Sequence, residues 1–111
     1  MLKAATVILC LSGPCHTFSQ DGVASWYGPG FYNQVMANGE IYKKNHMTAA
    51  SKTIPLGRIV EVTNLENGLS VVVRITDRGP FIKGRILDLS EQAAKRLHMM
   101  NDGLIKVRIV G

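Results

Sequence analysis

Apolar and polar positions along the chain set out the strands first. From Arg58 to Thr63 and again from Leu69 to Thr76, β-branched residues crowd together in two short runs. Runs of this length and type read as strands rather than helices. Asn67-Gly68 lies between them, and an Asn-Gly pair in that setting predicts a hairpin with a type I′ turn, whose two central residues need positive φ. The second run is nearly continuous in apolar residues, which predicts a central strand covered on both faces. It ends on Asp77-Arg78-Gly79-Pro80, an acid and a base at the mouth of an apolar strand, followed by a pair that stops it.

The rest of the pattern is less regular. Gly22 to Gly28 is a short strand-like stretch closed by Gly28-Pro29-Gly30. Periodicity then lapses from Phe31 to Lys52, predicting a functional loop of about twenty residues with Asn38-Gly39-Glu40 in its middle. Gly84 to Leu89 is a further short strand and leads to Ser90, a good N-cap, with Glu91 in the first turn and Lys95-Arg96 where they suit the helix dipole. The helix is expected from Glu91 to about Met99. Asp102-Gly103 turns the chain, and Leu104 to Val110 alternates as a last strand. Many short strands with one small helix make this a mainly β chain, a small β-barrel with crossing connections.

Length and composition narrow the setting. A chain of 111 residues has room for one domain. Its start reads as a secretory signal peptide over residues 1–19: Met1-Leu2-Lys3 is positive, Ala4 to Leu11 is an apolar run too short to span a bilayer, and Thr17 and Ser19 are small residues before a cut at Gln20. The other reading, an N-terminal element of the domain, meets Gly13-Pro14, which breaks the run. Residues 20–111 form the domain. Both cysteines, Cys10 and Cys15, precede it, so no disulfide framework or thiol nucleophile is expected there. Neither follows a small residue in the manner of a lipid anchor. Without Lys3 the net charge is about +4, which suits an anionic polymer such as a bacterial wall but does not by itself exclude simple solubility.

The candidate chemistry rests on carboxylates. His46 and His98 do not make a zinc motif, and no phosphate loop or Ser-His-Asp spacing is present. Aromatic residues interleaved with basic ones are too sparse for a single-stranded nucleic-acid platform. The acids are Asp21, Glu40, Glu61, Glu66, Asp77, Asp88, Glu91 and Asp102. Asp77 ends an apolar strand, where it serves either as a proton-carrying acid or as the cap of the Arg-Gly-Pro turn. Glu40 follows a turn that can aim it into a cleft or leave it solvated. Trp26 and Tyr27 either stack on sugar faces or fill the core.

In order, "ASWYG", "ANGEIY", "MTAASKTIPLG", "VEVTNLENGLSVVVRITDRGPF", "GRILDLS" and "AAKRL" resemble the RlpA family, named for rare lipoprotein A, from Gly22 to the C-terminus. The resemblance implies a six-stranded double-psi β-barrel with one or two short helices. It implies a lytic transglycosylase of peptidoglycan glycan strands that needs no cofactor or metal and acts in the periplasm or wall. It further implies a monomer with no nucleic-acid partner and no transmembrane helix in the mature chain. The family's active-site acids fall on Glu40 and Asp77, and its histidine position is occupied by Ser51. Serine exchanges hydrogen bonds but holds no charge near neutral pH. Substrate contacts are expected at Trp26, Tyr27, Asn38, Thr48 and Arg78. Ser51 keeps a second reading open, a polysaccharide-binding module with little or no turnover, and an expansin-like domain that loosens polysaccharide without cutting it is a third.

Overall fold

The computed structural model describes residues 18–27, 32–43 and 45–111. Most of the expected signal segment, both cysteines and the Gly28-Pro29-Gly30 closure lie outside them. Six strands and one helix make up the fold: β1 (Ser19–Trp26), β2 (Thr48–Ala50), β3 (Ile59–Asn64), β4 (Ser70–Asp77), β5 (Arg85–Leu89), α1 (Glu91–Arg96) and β6 (Ile105–Val110). The strands close into a barrel in the order β1-β5-β2-β4-β3-β6. β1 and β5 run parallel, as do β2 and β4. The other neighbours are antiparallel. A mainly β barrel with crossing connections is therefore what the chain forms.

Alternation builds the core. Val60 and Val62, Val71, Val73 and Ile75, Leu87 and Leu89, and Ile105, Val107 and Ile109 all point inward. Ala93, Ala94 and Leu97 of the helical segment join them. Ser90 caps α1 as expected, its hydroxyl accepting from the amide of Ala93 at 3.3 Å.

The structure departs from the sequence pattern in several places. The long loop contains a strand, β2, too short at three residues for periodicity to register. β4 is covered on one face only: Val72 is 56 % exposed, because a strand in this barrel has an outside as well as an inside. The hairpin between β3 and β4 exists, but its turn is not type I′, since Gly68 has φ +80° while Asn67 stays out of the left-handed region. Asn64 and Asn67 instead each donate a side-chain hydrogen bond to the carbonyl of Leu97, tying a longer loop to the end of α1. The helix stops at Arg96, three residues early, with His98 in the left-handed conformation at φ +55°.

At the amino end, β1 begins at Ser19 rather than at Gly22. Phe18 exchanges two backbone hydrogen bonds with Gly111, and its ring packs under the Arg58 guanidinium.

Two irregularities position the site. On β4, Ala49 of β2 pairs with Ile75 but Ala50 pairs with Asp77, so Thr76 is an inserted bulge residue. Strict alternation would send Asp77 to the core side with Val71, Val73 and Ile75. The bulge reverses the facing, and Asp77 leaves the core. A second bulge, at Ile86 of β5, lies between the pairs Val23–Arg85 and Ala24–Leu87.

Candidate functional site

Asp77 stands at one wall of a cleft of about 420 Å³, a size within the range of small-ligand sites. Its carboxylate accepts three hydrogen bonds. Oδ2 accepts from the Tyr27 hydroxyl at 2.9 Å. Oδ1 accepts from the amides of Ala37 at 2.9 Å and Arg78 at 2.8 Å. The loop that supplies Ala37 is held against the bulge, because the amide of Asn38 donates to the carbonyl of Thr76 at 3.1 Å. Gly79 then turns the chain away with φ +126°, a conformation that side-chain-bearing residues rarely adopt. Asp77 thus sits at the end of a rigid strand with its orientation set by backbone donors.

Tyr27 follows β1, and its amide donates to the carbonyl of Leu89 at 2.8 Å. Burial, then the hydrogen bond to Asp77, then the charges of Asp77 and Asp88 push its hydroxyl well above the ordinary phenol range. It therefore stays protonated and keeps donating to Asp77. Its ring meets that of Tyr42 edge-on at 5.1 Å, and Tyr42 stacks on Tyr32 at 5.2 Å. Tyr42 is fully buried, and its hydroxyl accepts the amide of Glu91 at the start of α1. Burial raises the Tyr42 hydroxyl as well, with that amide opposing the rise.

Trp26, Tyr27 and Arg78 line the same cleft as Asp77, so four of the residues singled out in the sequence meet there. Arg78 is tethered: one guanidinium nitrogen donates to the carbonyls of Ser51 at 2.9 Å and Ile54 at 2.7 Å. The other expected site residues do not line this cleft. Glu40 is exposed and forms a two-pronged ion pair with Arg74, at 2.8 and 3.3 Å. That pair and the Asn38 side chain lower its pKa from the ordinary glutamate value. Asn38 uses its side-chain oxygen to accept the amide of Glu40 within its own turn. Thr48 is 3 % exposed on β2, its hydroxyl without a partner among the described residues.

Ser51, at the position of the family's histidine, is only 2 % exposed. Its hydroxyl accepts the amides of Thr53 at 3.2 Å and Ile54 at 3.0 Å, closing a local turn. His46 is exposed in the loop, and its charge contributes to lowering Glu40.

Several cleft residues carried no sequence-based expectation. Phe81, 79 % exposed, and Ile82 form an apolar rim, and Arg85 adds a cation. Asp88 supplies a second carboxylate, hydrogen-bonded by the hydroxyl of Ser25. The signal for Asp88 was present in "RILDLS": a carboxylate between two buried leucines on a strand must face the other side. Among the described residues, no group of three or more His, Cys, Asp or Glu is placed to hold a metal ion. No helix among them is long and apolar enough to cross a membrane.

The family model described as lytic transglycolase matches residues 19–109. The endolytic peptidoglycan transglycosylase RlpA of Campylobacter jejuni is 52 % identical over 89 residues, which are 80 % of this chain and 32 % of that protein. The protein of the same name from Pseudomonas aeruginosa is 53 % identical over 90 residues, 81 % of this chain and 26 % of its own length. The chain thus spans about a third or less of the curated relatives it matches. Among solved structures, the expansin of Clavibacter michiganensis superposes with a TM-score of 0.66 at 24 % identity, over 83 % of this chain and 49 % of that one. A Streptomyces papain inhibitor superposes at 0.65 with 23 % identity, over 85 % of this chain and 96 % of its own. At such identities these two speak for the shared barrel alone.

Proposed function

The chain belongs to the lytic transglycolase family of double-psi β-barrels, and from that premise we propose that it cuts the MurNAc–GlcNAc bond of peptidoglycan glycan strands. The preferred strands lack stem peptides, and the products carry 1,6-anhydro-muramoyl ends. No water is consumed, because the sugar's own C6 hydroxyl displaces the leaving group. One carboxyl is sufficient for this in principle: as an acid it protonates the bridging oxygen, and as a carboxylate it takes the C6 proton. Asp77 fills that role, with Glu40 assisting and Trp26, Tyr27 and Arg78 holding the glycan. The protein works as a monomer without a cofactor, secreted across the inner membrane to the periplasm or wall after removal of its leading segment, with the cut falling ahead of Phe18 and Ser19, which pair with Gly111 and Val110 in the barrel.

The observation that carries this reading is the aim of Asp77, turned out of the core by the Thr76 bulge and held in the cleft by Tyr27, Ala37 and Arg78. Incubation with amidase-treated glycan, followed by mass spectrometry, tests it. Anhydro-muramoyl products that disappear in Asp77→Asn support the reading, and a chain that binds glycan yet releases no such product defeats it.

A second reading, a binding module, has one observation in its favour. Ser51 is committed to the amides of Thr53 and Ile54, and Glu40 to Arg74, so Asp77 alone of the three family positions lines the cleft. Glycan pull-down without products in the same experiment selects it.

A further inference from the structure

A row of residues crosses the barrel wall at the cleft. Ser25 of β1 is in register with Asp88 of β5. Asp88 is in register with Ala50 of β2, and Ala50 with Asp77 of β4. Residues in register on neighbouring strands project to the same side of a sheet. Ala49, Ile75 and Leu89 of the adjoining row all point into the core, so Ala50, Asp77 and Asp88 point the other way. Adjacent strands lie about 4.8 Å apart, which sets the backbones of the two aspartates roughly 10 Å apart across Ala50.

Ala50 offers only a methyl group in the middle of this row and is 1 % exposed. Tyr27 crosses the same interval, with its amide on Leu89, next to Asp88, and its hydroxyl on Asp77. The charges of both aspartates bear on that hydroxyl. The two carboxyls therefore share one cleft, on opposite sides of one tyrosine.

They are held differently. Both oxygens of Asp77 are occupied, by a phenol and two backbone amides. The only side-chain hydrogen bond to Asp88 among the described residues comes from Ser25, and it falls on one oxygen. Ser25 is itself buried, which shields that bond from water. Neither oxygen of Asp77 is free of donors, whereas Asp88 keeps one oxygen open to the cleft, where it can meet a bridging glycosidic oxygen directly.

We propose that Asp88 is the second catalytic carboxyl of this cleft, the acid that protonates the bridging glycosidic oxygen while Asp77 accepts the proton of the C6 hydroxyl. The inference rests on the transglycosylase reading and divides between two groups the proton traffic that one could carry. The bond from C1 of the MurNAc ring to the bridging oxygen breaks, its electron pair staying on that oxygen, which takes the Asp88 proton. The bond from O6 to C1 forms as the O6 proton passes to Asp77. Exchange with solvent then returns Asp88 to its acid and Asp77 to its carboxylate form, and no water enters the product.

The test compares the unchanged chain, Asp88→Asn and Ser25→Ala on amidase-treated glycan, with rates measured across pH. Asparagine keeps the shape of the site and an acceptor for Ser25. Asp88→Asn is expected to lower kcat by about 100-fold or more with KM changed by less than about threefold, the range lost with a general acid. The residual rate should lose the fall on the alkaline side that deprotonation of the acid imposes, a change that a purely structural role would not produce. Ser25→Ala, the milder variant, should cost about tenfold and displace that alkaline fall without abolishing it, as loss of one hydrogen bond to a charged group would. An Asp88→Asn rate within about threefold of the unchanged chain, or an unaltered pH profile, overturns the assignment while leaving the transglycosylase reading intact. Absence of anhydro product from the unchanged chain at every pH overturns both.

Discussion

Two carboxylates that the family resemblance pairs, Asp77 and Glu40, end in opposite surroundings. Asp77 closes a strand, half-buried, with two backbone amides and a phenol fixed on it. Glu40 sits on a loop, exposed and outside the cleft, its carboxylate paired with Arg74. Backbone donors and a buried ring hold a group in one place, and pre-positioning of this kind is what a proton transfer to substrate requires. A two-pronged surface ion pair holds a side chain through another mobile side chain in water, where such pairs are weak. The difference assigns the chemistry to the barrel wall and leaves the loop the lesser part.

The sharpest way to break this contrast is Asp77→Asn. Product formation should fall by about 10²–10⁴, the worth of a general acid or base, while thermal unfolding changes little, because the asparagine oxygen still accepts from the amides of Ala37 and Arg78 and its NH2 group donates to the Tyr27 hydroxyl instead. Glu40→Gln in the same assay should lose at least tenfold less, on the order of one hydrogen bond rather than the reaction's proton. Equal losses in the two variants would erase the distinction.

Tyr27→Phe removes one of the three donors and leaves the ring. A loss of about tenfold in kcat is expected, corresponding to roughly 1.4 kcal/mol of lost orientation. Ser51→Ala probes the loop's own structure. It should cost about 1 kcal/mol of stability in chemical denaturation, since the amides of Thr53 and Ile54 lose their acceptor, with product formation kept.

The smallest effect concerns Glu40 itself. Its pKa lies below the ordinary glutamate value, chiefly through Arg74. A depressed folded pKa contributes stability above the unfolded value, and that contribution is lost as pH falls through the lower, folded one. Titration of the Glu40 carboxyl carbon by NMR should therefore show the pair intact at pH 4.5 and broken only in stronger acid. Arg74→Ala should bring the midpoint back toward the ordinary range.

Much of the scaffold could be read locally. The β-branched runs became β3 and β4, Ser90 became the cap of α1, and the alternation from Leu104 became β6. Asp77 stood out because a charge at the end of an apolar strand is conspicuous. Asp88 did not, because a single acid between Leu87 and Leu89 looks like the solvent face of an ordinary edge. β2 was lost in its loop because three residues with two alanines carry no period. The turn at Asn67-Gly68 departs from type I′ because the carbonyl of Leu97, thirty residues on, competes for the Asn67 side chain.

The sequence by itself determined where the longer strands run, where the helix starts and where β4 must stop, since propensity, capping and the Gly79-Pro80 break act within a few residues of chain. Only the tertiary structure decided which side Asp77 faces and what stands beside it. Those outcomes depend on the bulge at Thr76 and on the register of β5, β2 and β4. Register between strands far apart in sequence is set by how their apolar faces share one core, and no local pattern carries that information.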